Sequence, residues 1–239
     1  MTSMQDLPSS HDHEPRIGHT LERLEPGLSR LLLSSTLVLL AGFIDSIGYL
    51  GMGKIYLSFM SGNSTKLGIA LFEANYGVWA TTGTVILLFI AGAFVGTFIT
   101  ECWSKKHMTL ILSVECILFL LAVILLLQSH KPYIMFPIAM AMGMQNTMHQ
   151  MVAHADVGKG FVSGTLFGIG QALAKAVRGK APASEWAVLA LSWFIFVIGA
   201  ALGALMLTYG GLFLSILAAL LFLVLIIPYV VYMQRTKNG

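Results

Sequence analysis

Charge is what this sequence has least of. Lys, Arg, Asp and Glu together make up 10% of its 239 residues while hydrophobic residues make up 56%, against roughly 25% charged in a typical soluble domain. A water-soluble globule of this length needs a polar covering that these residues do not supply. The net charge is only +3 and no basic patch is interleaved with aromatics, which excludes a nucleic-acid surface. Cysteine is nearly absent: Cys102 and Cys116 have neither zinc nor disulfide spacing and fall in or beside apolar runs, so they read as packing. No P-loop or dinucleotide fingerprint is present, no Gly-x-Ser-x-Gly elbow exists, and no motif joins Ser61 or Ser163 to a His and an Asp. The expectation is a protein that is not an enzyme, carries no cofactor and does not itself hydrolyse ATP.

What the chain has in abundance is long apolar runs. A helix rises about 1.5 Å per residue, so roughly 20 apolar residues cross a bilayer core. Six stretches qualify, approximately Leu31–Leu50, Val78–Thr100, Met108–Gln128, Tyr133–Val152, Trp186–Tyr209 and Leu212–Met233, and within them only Asp45 and Glu115 are acidic. The runs are continuous, not alternating, which rules out a β-barrel. The fold class is all-α, a polytopic transmembrane bundle. Two further segments, Ile55–Phe72 and Gly160–Val177, are long enough to cross but rich in small and polar residues; both spanning gives eight helices, both re-entrant gives six.

Basic residues discriminate, because cytoplasmic loops are enriched in Lys and Arg. With six spans and a cytoplasmic N-terminus, eleven of the fourteen Lys and Arg lie inside, and only Lys54, Lys66 and Lys131 outside. That split favours six. Residues 1–30 read as a polar cytoplasmic tail, with Arg16–Glu25 able to form a short interfacial helix. The tail has no signal-peptide pattern, and its His11, His13 and His19 read as incidental. Residues 31–233 form one membrane domain and 234–239 a cytoplasmic C-terminal tail.

The membrane domain repeats. Gly42-Phe43-Ile44-Asp45 aligns with Gly143-Met144-Gln145-Asn146 at an offset of 101, and Phe59-Met60-Ser61-Gly62 with Phe161-Val162-Ser163-Gly164 at 102. Phe89–Gly96 aligns with Phe196–Gly203 at an offset of 107. Two halves, approximately 31–128 and 133–233, each with three spans, would insert upside down relative to each other, as in many secondary transporters. Each half carries one GxxxG pair, Gly92/Gly96 and Gly199/Gly203. These let neighbouring backbones approach closely, within one subunit or, as the rival reading, across a homo-oligomer seam.

Polar residues inside apolar runs need a reason, since an ionised side chain at mid-span costs at least ~2.5–3.5 kcal/mol. Asp45, with Ser46 beside it and Tyr49 one turn on, reads either as a proton or cation site opposite Asn146 or as a cap on the next turn. Glycine with the hydroxyls of Ser61, Ser64 and Thr65 and the amide of Asn63, and again glycine with Ser163 and Thr165, break a helix and offer partners to a solute. Lys66 either snorkels to the outer interface or pairs with Asp45. Gln145, Asn146 and His149 add polar groups to the fourth stretch; His149 suits a proton relay. His149, His154 and Asp156 do not have the spacing of a metal motif. Glu115 reads as a hydrogen-bonded packing residue or a secondary bundle-facing site.

Residues Gly42–Leu50, Ser58–Thr65, Met142–Asn146 and Phe161–Leu166 resemble the YoaK family, also called domain of unknown function 1275, over approximately residues 31–233. Met148 and His149 depart from its pattern. The resemblance implies a bacterial inner-membrane protein of about six helices and implies no activity. The expected function is a small-solute or ion transporter, coupled to protons through Asp45 and His149, with its site between the halves. A non-transporting scaffold, sensor or assembly component is the alternative, and an intramembrane enzyme acting on lipid ranks behind both. The partners expected are the lipid bilayer, a small solute or proton and a second copy of the chain, with no nucleic acid.

Overall fold

The computed structural model describes residues 17–104, 106–148, 150–152, 155–157, 162–180 and 182–238. Seven helices dominate: α1 Ile17–Gly51, α2 Met60–Phe72, α3 Tyr76–Cys102, α4 His107–Leu127, α5 Met135–Gln145, α6 Val162–Val177 and α7 Ala183–Asn238. A hairpin of two three-residue strands, β1 Gln150–Val152 and β2 Ala155–Val157, follows α5, with Met151 opposite Asp156. The apolar stretches fold as helices because a backbone in hydrocarbon must satisfy its own N–H and C=O groups.

Four helices are long and apolar enough to cross a membrane: Leu28–Gly51, Tyr76–Cys102, His107–Leu127 and Ala183–Arg235. The last runs 53 residues, about 80 Å if straight, well over twice the ~30 Å hydrocarbon core. It is not straight. Gly211 leaves helical geometry at φ 69°, ψ 179°, a conformation that glycine adopts without a Cβ clash. Leu207 and Leu212 both lie against Gly51, while Tyr229 Oη donates to the Ser29 carbonyl at 3.3 Å. The two legs, 183–210 and 212–238, therefore run antiparallel, folded back at Gly211.

Thr109 Oγ1 donates to Gln234 Oε1 at 2.6 Å, which brings the start of α4 to the end of α7. The beginnings of the α1 and α4 crossings, the end of α3 and the C-terminal end of α7 thus share one face of the bundle. The ends of α1 and α4, the Gly211 bend and the starts of α3 and α5 share the opposite face. Large apolar side chains point outward between them, with Leu87 68%, Phe94 71% and Leu225 76% exposed, as suits a surface whose surroundings are lipid.

The two most extensive helix contacts are α1 with α7 and α3 with α5, and glycine sets both. A methyl group at Gly199 would collide with the Leu39 carbonyl, one at Gly203 with that of Phe43, and one at Gly42 with that of Phe196. In the other pair, Gly92 abuts the Met140 carbonyl, Gly96 abuts Met144 and Gly143 abuts the Phe89 carbonyl. Residue numbers rise together in both pairs, so each is parallel. Gly92, Gly96, Gly199 and Gly203 thus all meet backbone of this same chain.

Several expectations need correction. The stretch Tyr133–Val152 is not one crossing: α5 has 11 residues, about 16 Å of helix, and stops at Gln145. Polar side chains mark its end. Asn146 Nδ2 donates to the Met142 carbonyl at 2.9 Å and Thr147 Oγ1 to that of Met144 at 2.7 Å, taking up carbonyls at the end of the helix. Apart from the two three-residue strands after it, the described fold is all-α. At the other end of the chain, α1 begins at Ile17 and runs unbroken into the first crossing, so residues 17–30 are not a separate interfacial element. Residues 55–59 are not helical and α2 has 13 residues, so Ile55–Phe72 is not a continuous crossing. The matching Gly160–Val177 is helical over the 16 residues of α6.

Candidate functional site

After Gly51 the chain turns back on itself. Gly53 (φ 77°) and Lys54 (φ 57°) both adopt left-handed backbone, and the segment 55–59 descends alongside α1. Gly48 makes room for it: a Cβ there would meet the Ile55 carbonyl at 2.5 Å. An extended segment inside a bundle has no ladder for its backbone groups, and two buried polar side chains take that role. Asp45 Oδ1 accepts the N–H of Leu57 at 2.7 Å and of Ser58 at 2.6 Å, and Oδ2 accepts the Ser58 hydroxyl at 2.7 Å. Asn63 Oδ1 accepts the N–H of Tyr56 at 3.0 Å, and its Nδ2 donates to the Tyr56 carbonyl at 2.6 Å. Asp45 and Asn63 are 3% and 0% exposed.

This anchoring fixes three rings. Tyr49 and Tyr56 stack with centroids 5.1 Å apart, and Phe59 stands edge-on to Tyr56 at 5.3 Å. Gly62 leaves them space, since a Cβ there would meet both Tyr56 and Phe59 at 2.9 Å. The rings form one wall of a cleft of about 410 Å³, closed by Asp45, Ser46 and Leu50 of α1, Val162 and Ser163 of α6, and Phe196 and Ala200 of α7. The short helices α2 and α6 both begin at this cleft. Among the described residues of its lining, Asp45 is the charged one.

Residues 33–227 match the family model described as Protein of unknown function (DUF1275). The chain belongs to the DUF1275 family. Among its relatives, the UPF0700 transmembrane protein RA0705 of Rhizobium meliloti (strain 1021) is 28% identical over 195 residues, 80% of this chain and 83% of that one. The UPF0700 transmembrane protein YoaK of Bacillus subtilis (strain 168) is 30% identical over 145 residues, 57% of this chain and 64% of that one. No solved structure matches. Like these relatives, the DUF1275 protein is a transmembrane protein.

Of the polar residues singled out in the sequence, this DUF1275 bundle brings Asp45, Tyr49 and Ser163 to the cleft. Ser61 is exposed on α2; Ser64 and Thr65, also exposed, donate to the Met60 and Ser61 carbonyls of their own helix. Gln145 Nε2 donates to the Leu37 carbonyl at 3.0 Å, holding the end of α5 against α1. Thr165 and Asn146 are partly buried, and neither is among the lining residues of the cleft. His149 and His154 lie outside the described residues, and the side chain of Asp156 is likewise not described. Lys66 does not pair with Asp45: its ammonium donates to the Gly53 and Lys54 carbonyls at the opposite face. Glu115 is fully buried in α4 and neither oxygen has a hydrogen-bond partner among the described residues, which fits the bundle-facing alternative and not the hydrogen-bonded one. No three His, Cys, Asp or Glu side chains gather into a metal site among the described residues.

The sequence reading missed Tyr56, Phe59, Phe196 and Ala200. Tyr56 and Phe59 flank the Ser-Gly segment, but aromatics in an apolar context read as packing. Phe196 stands far along the chain and reaches the site through the glycine contact of α7 with Gly42.

Proposed function

We propose that this protein moves a small solute across a bacterial inner membrane through the cleft bounded by Asp45, Tyr49, Tyr56, Phe59, Ser163 and Phe196. One observation carries the reading: the two polar segments, more than a hundred residues apart in sequence, meet at a single cleft. Aromatic and apolar walls, one carboxyl and the N-terminal ends of two short helices suit a small, largely apolar solute bearing a polar group. The action is non-enzymatic.

The repeat is part of the same proposal. The first helix of each half (α1, α5) packs through glycine on the third helix of the other half, α7 or α3, and equivalent glycines are used: Gly42 and Gly143, Gly92 and Gly199. Such reciprocity supports two inverted halves, with α2 and α6 as re-entrant helices. A cytoplasmic N-terminal face is supported by its basic residues, Arg30, Lys106, Lys175, Arg178, Lys180 and Arg235, against Lys54, Lys66 and Lys131 on the other. Proton coupling, in this reading, falls to Asp45. The alternative of a non-transporting scaffold draws support from Asp45 and Asn63 both being engaged by their own backbone.

The test is uptake into proteoliposomes of a pooled panel of small solutes, comparing the native protein with Ser163→Trp, which fills the cleft from an exposed position. Uptake of at least one solute by the native protein, lost in the variant while gel filtration stays unchanged, supports transport. Absence of uptake of every solute refutes it and leaves the scaffold.

A further inference from the structure

A second cavity, about 390 Å³, opens at the face that carries the end of α1; it shares no residue with the cleft, although Gly51 and Ile55 of the cavity adjoin Leu50 and Tyr56 of the cleft in the chain. Its walls are Gly51–Gly53 and Ile55 at the end of α1, Lys66 of α2, the first turns of α3 (Gly77, Val78 and Thr81) and the turn Lys131–Pro132 with Met135. Lys66 and Lys131 line it, and Lys54 sits between the lining residues Gly53 and Ile55. No acidic side chain is among the lining residues; the acid nearest along the chain, Glu73, is not one of them.

The geometry leaves a charge to be answered. Lys66 donates to the Gly53 and Lys54 carbonyls, the latter at 3.1 Å, and an ammonium has three N–H groups, so one remains for a ligand. Carbonyls solvate an ammonium but do not neutralise it. On α3, a helix of 27 residues with no acid in its first turn, Asn75 accepts the N–H of Val78 at 3.2 Å. Like charges are costly when gathered without counter-charge, because each repels the next where water is partly excluded. Yet Lys66 and Lys131 both line one hollow, and Lys54 lies in the chain between two of its lining residues.

We propose that this cavity binds a phosphate-like anion, supplied either as a free oxyanion or as the headgroup of an anionic lipid. Its volume suits one phosphate group with its substituents, and Lys66 and Lys131 approach from different walls. This site is independent of the transport reading and stands or falls apart from it.

The experiment uses the full-length protein, delipidated in detergent, with the double variant Lys66→Gln/Lys131→Gln. One arm measures binding of labelled inorganic phosphate by equilibrium dialysis. The other measures retention of phosphatidylglycerol against phosphatidylcholine by native mass spectrometry. The native protein is expected to bind in at least one arm, with loss of about fivefold in affinity per lysine removed and about 25-fold for the pair. Phosphate binding assigns a free anion; phosphatidylglycerol retention without phosphate binding assigns a headgroup. Should the double variant fail to fold, Lys131→Gln alone, at an exposed side chain, is expected to cost about fivefold. Binding in neither arm, or variants that bind as tightly as the native protein, overturns the site.

Discussion

Asp45 offers a sharp test, because alanine and asparagine at this position should behave differently. Replacing it with Ala removes the acceptor of three short hydrogen bonds, from the N–H groups of Leu57 and Ser58 and from the Ser58 hydroxyl. The hydroxyl can rotate to another acceptor; the two N–H groups cannot move without unseating the descending segment. A buried donor left unsatisfied costs about 1–3 kcal/mol, so the pair predicts a loss of about 2–6 kcal/mol. The carboxyl also fills space in a site only 3% exposed, so its removal adds a cavity cost to that figure. Asp45→Asn keeps an oxygen for both N–H groups, and its amide donates to the Ser58 oxygen once the hydroxyl turns, so about 1 kcal/mol is expected. Thermal unfolding of both variants in one detergent reads the difference, and a cysteine introduced at Ser58 reports whether the segment has left its place through its reaction with a soluble maleimide. If Asp45→Ala unfolds at the same temperature as Asp45→Asn, with Ser58 equally protected, the anchoring argument fails. The Asn variant has a second use. It leaves the segment in position, so loss of proton-coupled uptake in that variant can be assigned to proton transfer and not to collapse of the cleft.

Gly92→Ala and Gly199→Ala should each destabilise by at least about 1–3 kcal/mol, because the new methyl strikes a carbonyl of the partner helix. Gly170→Ala, which has open space around it, should be neutral or slightly stabilising; comparable melting of all three in one detergent contradicts the packing. Glu115→Leu should raise the unfolding temperature, since it removes a buried carboxyl with no partner and fills similar volume, a gain of about 1–3 kcal/mol; a lowered unfolding temperature would mean the carboxyl is held by something essential. Single cysteines at Lys54 and Asn75 should label from one side of the membrane, and those at Lys106 and Lys180 from the other. Labelling of all four from the same side would contradict the arrangement of faces.

The long crossings were legible because twenty or more apolar residues in sequence have few alternatives in a bilayer. Even the fold-back in α7 was readable: the runs ending at Tyr209 and restarting at Leu212 leave Gly210-Gly211 between them. Tyr133–Val152 misled because its composition is as apolar as a true crossing. The end of α5 is marked locally, where Asn146 and Thr147 bond back onto carbonyls, and hydropathy averages do not register such a change. Asp45 and Asn63 were legible as residues needing a reason but not as anchors, since their partners are backbone groups of a segment whose path depends on Gly48, Gly53 and Lys54. The cleft was half legible. Its polar members and Tyr49 stood out, whereas Tyr56 and Phe59 depended on the path of the segment 55–59 and Phe196 on the packing of α7 against α1.

The crossed glycine seams have a consequence for how the molecule is made. A nascent chain that has emerged only as far as Lys131 holds α1 and α3 but neither helix that fits against them, for α5 and α7 are still to be synthesised. The glycine-contacted faces of α1 and α3 must wait in the bilayer, and the earliest-made helix is matched among the last. Assembly therefore closes late and in order, the seam of α3 with α5 first and that of α1 with α7 last. A fragment ending between the halves is expected to insert yet remain loose and open to proteolysis, a substrate for quality control and not a smaller working protein.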